Sequence, residues 1–547
     1  MRVIDGIAKV LQLEGVDSLP CFPDNPILDA AASIGIRPII CRQERVGLGI
    51  ADGFSRVTNG RRLGVFAMQQ GPGAENSFPG VATAFADSTP MLILPIGHAR
   101  SRAQIRPLFS SAKNFASVTK ELETINDPES WLEATRRAVG RVKMGRIGPV
   151  MLEVPVDVAL VDVGFDPKSY RPATAVRSGA DEDDIRAAAK VLVEATSPII
   201  LAGQGVLYAE ATGELIELAE FLQAPVMTTL LGKSSFPEDH PLSLGTGAVT
   251  TTGPVAEFLE KADVVFAVGT SLTRYGTNKE IPIGKTIIHA TNDPRDHHKD
   301  YSPTIALLGD AKLVLRQMIR GTRSKLGKDS RAGDESIRRR VKKSRRTWMN
   351  EWMPKLTSSE VPINPYHVIW EFMQTVDPST AIVTHDSGSP RDQIVPFYLA
   401  TKPRSYIGWG KSHSLGTGLG LIIGAKLAAP EKFCANFMGD AAFGMTGLDF
   451  ETAVRSRLPI TTIVLNNSTM AIETETMPVA HKKFQSRDIG GDYSAIGRAL
   501  GGLSERIEEP AEIAPALRRA VRSNMAGKSV LLEFITSEEL SVSHPTL

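Results

Sequence analysis

Residues 439–467 read GDAAFGMTGLDFETAVRSRLPITTIVLNN, and this stretch decides the fold that we expect for the chain. Its Gly-Asp pair follows an apolar run at 433–438, and its closing Asn-Asn pair follows a strand-like run at 460–465. A helix-like segment lies between them. In a parallel strand, helix, strand unit, the carboxyl ends of both strands lie at one edge of the sheet, where ligands bind in open α/β folds. We therefore expect Asp440 and Asn467 to meet.

These two side chains suit a hard cation that also takes phosphate oxygens and water, with a backbone carbonyl near Thr469 as a further ligand. The implied ligand is a Mg2+-bound diphosphate. Gly439 lets the backbone turn sharply, and the amides of Ala441 and Ala442 can face the phosphate at the start of the following helix. A Gly-Asp turn after one strand and Asn-Asn after the next also occur in α/β proteins without a ligand. The residues alone therefore leave open both a ligand site and a purely structural turn.

The spacing and flanks of residues 439–467 resemble the thiamine diphosphate motif of the acetolactate synthase and pyruvate decarboxylase superfamily, which begins Gly-Asp and ends Asn-Asn. Ala441 stands where the family usually has Gly, and Ala still leaves its backbone amide available. The resemblance extends along nearly the whole chain. It implies that Asp440, Asn467 and Thr469 bind Mg2+. The cofactor-binding residues that it implies in this region are Gly439, Asp440, Ala441, Ala442, Asn467, Thr469, Met470, Ala471 and Ile472.

Length and composition predict roughly three domains with ample core, since the chain has 547 residues, of which 42% are hydrophobic and 22% charged. The net charge of +1 argues against a nucleic-acid partner. The basic run at 338–346 is interpreted as a solvated helix face. Cys21, Cys41 and Cys434 lack metal-ligand spacing and fit a reducing compartment. Without a signal peptide or an 18-residue apolar run, the protein is expected to be cytoplasmic, with no membrane partner.

Strand and helix patterns alternate in three segments, which predicts an α/β protein of three doubly wound domains with mainly parallel sheets. The resemblance implies a pyrimidine-binding domain at 1–165 and a Rossmann-like middle domain at 180–325. A basic linker is expected at 326–360. The diphosphate- and Mg-binding domain is expected at 361–547.

Glu44 lies just after a buried-looking strand, at the head of a Gly- and Ala-rich helix. Without further context, a carboxylate at this place would be a helix cap. Residues 43–56, however, resemble the family's glutamate helix, including its Ala-Asp-Gly-aromatic-x-Arg ending. The resemblance implies that Glu44 binds the aminopyrimidine nitrogen of the cofactor through a charge-assisted hydrogen bond and so promotes proton removal from the thiazolium carbon.

Three further stretches resemble cofactor-binding segments of the family. The loop at 71–76 implies that Pro72, Gly73 and Asn76 border the pyrimidine ring. In the loop after residue 384, Gly388 and Ser389 are diphosphate-side candidates, although family members often have Gln-His where Ser389 and Pro390 stand. The residues at 413–420 resemble the segment that supports the bent cofactor. The candidates there are Leu415, as the apolar support, and His413.

In the family, the pyrimidine site and the diphosphate site lie on different subunits. The resemblance therefore implies that Glu44 of one chain completes the site formed by Asp440 and Asn467 of another. A homodimer or homotetramer is the expected assembly, with active sites shared between subunits.

Few residues of the sequence indicate which substrate the enzyme would bind. Glu473 resembles a Glu of the decarboxylase branch and could relay protons, while an exposed helix glutamate is the structural alternative. Asp24 and Asn25 occupy a loop where relatives carry a substrate-facing polar residue. His413 and His98 are further polar candidates, although a lone His is more often structural. The His-His pair of pyruvate decarboxylase and the Phe-Gln of acetolactate synthase are absent, so the substrate stays open.

The middle domain offers Gly-bearing strand ends near 203–206 and 269–274, which suit FAD or the ADP moiety of CoA, as in some relatives; other relatives leave this domain empty. The expected activity is thiamine diphosphate- and Mg2+-dependent cleavage or formation of a C–C bond on a 2-keto acid, by decarboxylation or carboligation. A 2-hydroxyacyl-CoA lyase or oxalyl-CoA decarboxylase-like enzyme is the alternative. A non-catalytic regulatory paralogue is an alternative of another class, whereas an NAD-dependent dehydrogenase would need a GxGxxG fingerprint that is missing.

Overall fold

The computed structural model describes residues 1–276, 278–327 and 331–545, which form three sheets of six parallel strands each. The first sheet has the strand order β2-β1-β3-β4-β6-β5. Its strands are β1 (Ser18–Cys21), β2 (Arg37–Ile40), β3 (Gly64–Met68), β4 (Met91–Gly97), β5 (Glu121–Thr124) and β6 (Pro149–Pro155). The helices of this part are α1 (Val3–Leu13), α2 (Ile27–Ser33), α3 (Glu44–Val57), α4 (Pro72–Asp87), α5 (Ser111–Phe115), α6 (Trp131–Lys143) and α7 (Val156–Ala159).

The middle sheet has the order β12-β11-β10-β7-β8-β9. Its strands are β7 (Pro198–Ala202), β8 (Val226–Thr229), β9 (Ser243–Gly247), β10 (Val264–Val268), β11 (Thr286–Thr291) and β12 (Ile305–Leu308). The helices are α8 (Glu182–Glu194), α9 (Gln204–Tyr208), α10 (Thr212–Leu222), α11 (Gly253–Lys261) and α12 (Ala311–Leu326). Strands β7 and β10 end just before the Gly-bearing segments near 203–206 and 269–274, where the sequence pattern placed strand ends.

The third sheet has the order β14-β13-β15-β16-β18-β17. Its strands are β13 (Ala381–His385), β14 (Tyr406–Ile407), β15 (Phe433–Gly439), β16 (Thr461–Asn466), β17 (Leu503–Ile507) and β18 (Val530–Ile535). The helices are α13 (Ser336–Leu356), α14 (Pro365–Thr375), α15 (Ser389–Phe397), α16 (Thr417–Ala428), α17 (Asp440–Thr446), α18 (Phe450–Arg455), α19 (Pro478–Phe484), α20 (Tyr493–Ala499) and α21 (Ile513–Met525).

The first and third sheets share one topology. If strands are counted from the start of each sheet, both have the order 2-1-3-4-6-5, whereas the middle sheet has 3-2-1-4-5-6. In both orders the chain builds the sheet outward from its first strand in one direction and then crosses to the other side of that strand, and ligands bind at this crossing point in open parallel sheets. The expected α/β architecture of three doubly wound domains is therefore confirmed, and its sheets are parallel throughout their named strands.

The segment expected to be a basic linker contains the 21-residue helix α13. Trp348 on this helix is buried and stacks on Phe397, with ring centroids 4.9 Å apart. Arg339, Lys342 and Arg346 are exposed, as expected for a solvated basic face, whereas Arg345 in the same run is half-buried and donates to the carbonyl of Ser243 at 2.7 Å. Residues 328–330, which belong to the same predicted linker, lie outside the described residues. None of the helices in the described ranges combines the length and the apolar character needed to cross a membrane.

Helices α3 and α16 join the first and third domains through glycines. The Cα atoms of Gly49 and Gly420 face each other, and a Cβ added to Gly53 would overlap the carbonyl of Leu421. A side chain at these positions would force the helices apart, so the glycines set the distance between the two domains. This contact places the first turn of α3, which begins at Glu44, beside the loop that precedes α16.

We expect Gly53→Ala to lower the free energy of unfolding by about 1–3 kcal/mol, because backbone atoms of α16 leave no space for the added methyl group. Denaturant titration followed by circular dichroism measures this loss. Gly140→Ala on α6 is the matched control, since the added Cβ would meet only the Met144 methyl group at 3.8 Å. That control should be neutral or slightly stabilising. Equal losses in both variants would contradict the packing argument.

The Ala-Asp-Gly-aromatic-x-Arg ending of the glutamate helix, α3, takes part in contacts between the first and third domains. Arg56 is buried and pairs with Asp52 and Asp87, and it also donates to the carbonyl of Gly408 at 3.1 Å. Asp87 in turn accepts hydrogen bonds from the backbone amide of Lys411 at 3.0 Å and from that of the preceding residue. Three charged side chains of the first domain thus hold the 408–411 segment of the third domain.

Candidate functional site

Three loops meet at the carboxyl edge of the third sheet. Strands β13 and β15 flank the point where the strand order reverses, and β15 pairs with β16 so that Gly439 lies opposite Leu465. Asp440 and Asn467 therefore follow neighbouring strands, as the sequence pattern predicted. The Cβ position of Gly439 lies 3.8 Å from Pro390, which brings the loop after β13 against the loop after β15.

Asp440 is buried at the start of α17. Its Oδ1 accepts a hydrogen bond from the amide of Ala441 at 2.7 Å, while its buried Oδ2 lacks a hydrogen-bond partner among the described residues. Burial raises the pKa of this carboxyl, and backbone N–H groups of Ala441, Ser468 and Asn467 oppose that shift. A buried carboxylate oxygen normally has a partner, so the unpaired Oδ2 fits a bound cation.

The two residues of the Asn-Asn pair have different environments, one buried and one half-buried. Asn466 is buried and donates to Glu533 at 2.7 Å, which holds the end of β16 against β18. Asn467 is half-buried, and its Oδ1 accepts from the amide of Thr469 at 3.1 Å. The described residues contain no group of three or more His, Cys, Asp or Glu side chains arranged to hold a metal ion. A metal held here would take one carboxylate plus amide and carbonyl oxygens, which is a donor set that suits Mg2+.

The segment after Asn467 forms the outer wall of this edge. A short 3-10 turn spans Ala471–Thr474, and the Cδ1 atom of Ile472 lies 3.9 Å from the Cβ position of Gly388. Ile472 is 50% exposed although it is apolar. Glu473 is half-buried and accepts from Thr476 Oγ1 at 2.9 Å. Of the other candidates, Met470 is half-buried and Ala471 is buried.

Glu44 is the first residue of α3 and is only 3% exposed. Its Oε2 accepts from Asn76 Nδ2 at 3.3 Å, and its Oε1 lies 3.3 Å from the Cβ position of Gly73. Burial raises the pKa of the Glu44 carboxyl, and hydrogen bonds from its own backbone amide and from Asn76 oppose the shift. The loop that the sequence assigned to the pyrimidine ring thus lies against Glu44, with Pro72 exposed at its edge.

The two neighbouring polar candidates have different environments. The Asn25 amide donates to the carbonyls of Met68 and Leu94 at 2.9 and 3.1 Å, and its oxygen accepts from the amide of Ile27. These hydrogen bonds link the end of β3 to the middle of β4 and occupy the polar atoms of the Asn25 side chain. Asp24 is exposed, has a φ of 73° and accepts from Gln69. It is the polar side chain that this loop presents to solvent.

The loop before α16 carries the remaining candidates. Leu415 is half-buried and packs against the apolar core around α16, and His413 is exposed with a φ of 33°. Ser389 begins α15, and Gly388 before it has a φ of 96°, which favours glycine. His98 is half-buried with an unpaired Nε2. Sequence analysis assigned no role to Asp386, a fully buried carboxylate beside this loop; its place just after β13 at the reversal point was the available signal.

Glu44 and the Asp440–Asn467 pair, the two candidate half-sites, belong to different domains. The side-chain hydrogen bond of Glu44 goes to Asn76 in the first domain, and that of Asp440 goes to its neighbour Ala441 in the third. Each carboxylate faces the carboxyl edge of its own sheet. The first domain therefore provides a desolvated carboxylate, and the third domain provides a set of oxygen ligands.

A cavity of about 410 Å3 lies between the first and middle domains. It opens at the reversal point of the middle sheet, where the loops after β7 and β10 pack so closely that a Cβ at Gly203 or Gly205 would overlap Gly269. Polar groups from all three domains reach it, including Arg146 of the first, Asp296 of the middle and Lys411 of the third. Burial lowers the pKa of Lys411 to about 8.

Family models match all three parts of the chain. Residues 1–121 match the thiamine pyrophosphate enzyme N-terminal TPP binding domain, and residues 386–534 match the C-terminal TPP binding domain. Residues 185–318 match the central domain of the same enzymes. Thiamine pyrophosphate is another name for thiamine diphosphate. Glu44 and the Asp440–Asn467 pair therefore lie in segments that match the TPP binding domains of these enzymes.

Relatives match nearly the full length. A probable acetolactate synthase large subunit from Methanocaldococcus jannaschii is 30% identical over 96% of this chain and 90% of its own length. A sulfoacetaldehyde acetyltransferase from Castellaniella defragrans is 28% identical over 98% of this chain and 92% of its own length. The crystal structure of benzoylformate decarboxylase from Polynucleobacter necessarius shares the fold, with a TM-score of 0.82, 20% identity and coverage of 99% and 100% of the two chains. Three domain matches and these full-length similarities establish that the chain belongs to the thiamine diphosphate-dependent enzymes of the acetolactate synthase-like superfamily.

Proposed function

We propose that the chain is a Mg2+- and thiamine diphosphate-dependent enzyme that cleaves or forms a C–C bond next to the carbonyl of a 2-keto acid. The observation that carries this proposal is the buried, unpaired Oδ2 of Asp440 beside Asn467, in a chain that also keeps a desolvated carboxylate at Glu44. A non-catalytic paralogue would have no need for any of the three. These three residues do not decide whether the product is released or joined to a second carbonyl. That choice depends on the residues that contact the substrate.

Residues of the third domain would hold the metal and the diphosphate. Asp440 Oδ2, Asn467 Oδ1 and the Thr469 carbonyl would bind Mg2+, and the amides of Ala441 and Ala442 would face the phosphates. Gly388 and Ser389 would border the diphosphate, while Leu415 and the segment Met470 to Ile472 would contact the rings. When bound, thiamine diphosphate supplies a nucleophilic carbon and an electron sink.

Glu44 would act on the pyrimidine ring. Its burial raises the carboxyl pKa, so that it can hold a proton at Oε1 or Oε2 and share it with a ring nitrogen in a short hydrogen bond. Asn76 keeps Oε2 in place from the side. Glu473, Asp24 and His413 are the polar groups that would exchange protons with the substrate or orient it, since all three are at least partly exposed.

The proposal includes a homodimer, or a tetramer of such pairs, in which Glu44 of one chain meets Asp440 of another. The resemblance to the family supports it, because Glu44 and Asp440 belong to two different domains. If Glu44→Gln and Asp440→Asn chains are unfolded together and refolded as a mixture, half of the dimers would be mixed. One of the two sites in each mixed dimer would carry both native residues, so about one quarter of the sites should be active. No recovery of pyruvate turnover in the mixture would contradict shared sites.

Titration calorimetry tests the central proposal. Metal-stripped protein is titrated with thiamine diphosphate with and without Mg2+, and the loaded protein is then mixed with pyruvate. We expect cofactor binding that depends on Mg2+ and a heat of reaction with the 2-keto acid. Absence of cofactor binding in both conditions would contradict the proposal and favour the non-catalytic alternative.

The cavity between the first and middle domains favours a second candidate, an acyl-CoA substrate or a bound FAD. Its volume of about 410 Å3 and its position at the reversal point suit the ADP moiety that both molecules share. Titration of the loaded protein with CoA, FAD and ADP separates the cases. Binding of CoA together with turnover of an acyl-CoA would favour a lyase or decarboxylase that acts on CoA esters, and binding of FAD alone would favour the acetolactate synthase branch.

A further inference from the structure

Asp386 is a buried carboxylate with an unusual set of donors. It is 0% exposed, and it accepts backbone hydrogen bonds from Ser387 and Gly416 at Oδ1 and from Gly418 at Oδ2, each at 2.8 Å. Gly416 is the N-cap residue of α16 and Gly418 lies in its first turn, whereas Asp386 lies 30 and 32 residues earlier, directly after β13. The carboxylate therefore caps α16 from a different element.

Hydrogen bonds hold both residues that flank Leu415, Ser414 before it and Gly416 after it. Ser414 Oγ accepts from Arg45 Nη2 at 3.1 Å, and the carbonyl of Ser414 accepts from Thr417 Oγ1 at 2.8 Å. On the other side, the Gly416 amide is held by Asp386, and the carbonyl of Gly416 accepts from the Thr446 hydroxyl at 3.0 Å. Leu415 thus stands between two residues whose backbones are fixed.

The geometry of Gly416 makes this arrangement specific. Its φ is 85°, in the left-handed region, and an added Cβ would come within 2.6 Å of Thr446. No other residue fits at this position without moving its surroundings. The loop therefore reaches Leu415 in one backbone conformation.

The charge of Asp386 is only partly balanced. Burial raises its pKa to about 6, and the three N–H groups together with the Arg45 guanidinium oppose that rise. Arg45 belongs to the same first turn of α3 as Glu44, and its own pKa is lowered by burial. The fold keeps a costly buried carboxylate where an apolar residue would fill the space, which points to a task beyond stability.

We propose that Asp386 is a positioning residue that, together with Arg45, holds the 413–418 loop so that Leu415 lies against the bound cofactor. This inference rests on the function proposed above, in which Leu415 contacts thiamine diphosphate. Asp386 touches neither the cofactor nor the substrate in this scheme. It acts through the backbone on either side of Leu415.

Hydrogen–deuterium exchange of the cofactor-free protein tests the positioning directly. In Asp386→Asn, either orientation of the amide turns an N–H group toward at least one backbone N–H donor, so the loop should loosen. We expect peptides that cover residues 413–420 to exchange at least about tenfold faster than in the wild type, since a buried acceptor has been lost. Asp181→Asn, which alters a carboxylate cap at the start of α8, is the control and should leave this loop unchanged. Unchanged exchange in Asp386→Asn would overturn the inference.

A double-mutant cycle tests whether Asp386 acts through Leu415. Its readout is the rate at which the thiazolium C2 proton of bound thiamine diphosphate exchanges with D2O, measured by NMR at cofactor saturation. We expect Asp386→Asn and Leu415→Ala each to slow this exchange by on the order of 10–100-fold, and the double variant to be no slower than the slower single variant. Multiplication of the two effects would overturn the inference.

Two outcomes separate this inference from the proposed function. If the wild type binds no thiamine diphosphate, the proposed function fails, and the loop exchange of the cofactor-free protein still tests whether Asp386 holds the loop. If the wild type binds the cofactor but both Asp386→Asn readouts match it, only the inference fails. Should Asp386→Asn not fold, Arg45→Gln removes the bond to Ser414 and should loosen the same peptides by a smaller factor; wild-type exchange in that variant would overturn the inference.

Discussion

Turnover of pyruvate by Glu44→Gln should fall by on the order of 10²–10⁴-fold, the range expected when a proton-transferring group is lost. Glutamine keeps the shape and the contact with Asn76, but it carries no exchangeable carboxyl proton and no charge. Its amide therefore cannot share a proton with the pyrimidine nitrogen. Because Mg2+ and the diphosphate bind to a different domain in our proposal, thiamine diphosphate should still bind to Glu44→Gln.

Steady-state kinetics with saturating cofactor measure the loss, and calorimetry measures the remaining binding. Glu182→Gln is the matched control, because Glu182 is likewise the first residue of its helix but is exposed and lies in the middle domain. It should behave as the wild type. If Glu44→Gln keeps most of its activity while binding the cofactor, Glu44 does not have the proposed role.

The second large effect concerns Asp440→Asn. This change removes the charge at the unpaired Oδ2, so Mg2+ should no longer increase the affinity for thiamine diphosphate. Loss of an orienting outer-shell residue typically weakens metal binding by about 10–100-fold, and loss of a direct ligand should cost at least as much. Titration with and without Mg2+ measures the difference between the two affinities.

Thermal unfolding supplies an independent check on Asp440. Because burial raises the folded-state pKa of this carboxyl, its ionised form is disfavoured in the folded protein, and that cost is present once the pH exceeds the folded pKa. Asp440→Asn without metal should therefore unfold at the wild-type temperature or above it, while the stabilisation by Mg2+ and thiamine diphosphate should vanish. Asp377→Asn, an exposed change in the same domain, is the control. An unaltered metal effect in Asp440→Asn would contradict the assignment.

Much of the architecture was predictable because it depends on local pattern. Short apolar runs bounded by Gly, Pro and Asp marked strands such as β7 and β15 to within a few residues. The βαβ rule then required β15 and β16 to be adjacent, which brought Asp440 and Asn467 to one edge. Glu44 was predictable for a similar reason, since its place at a strand end and its Gly-rich helix are features of consecutive residues.

The roles of several polar side chains depended on partners that are distant in sequence. Asp24 and Asn25 were both candidates for the substrate-facing side chain, and the Asn25 amide donates to Met68 at the end of β3 and to Leu94 within β4, 43 and 69 residues away. Asp24 beside it is exposed and has a positive φ. Sequence periodicity carries no information on which of two adjacent polar residues turns inward, because that choice depends on which buried backbone groups need a partner.

The sequence by itself determined the three α/β domains, the residues that follow their main strands and the family motif at residues 439–467. Each of these follows from hydrophobic periodicity and turn chemistry over short distances. Only the tertiary structure decided that Asp386 caps α16, that Arg45 reaches Ser414 across 369 residues, and that Asp440 Oδ2 is left unpaired. Asp386 and Asp440 lie within the third domain, whereas the bond from Arg45 to Ser414 joins the first domain to the third. A buried charge or donor needs a partner in three dimensions, whichever part of the chain or bound ligand supplies it, and a cation is the partner that we propose for Asp440 Oδ2.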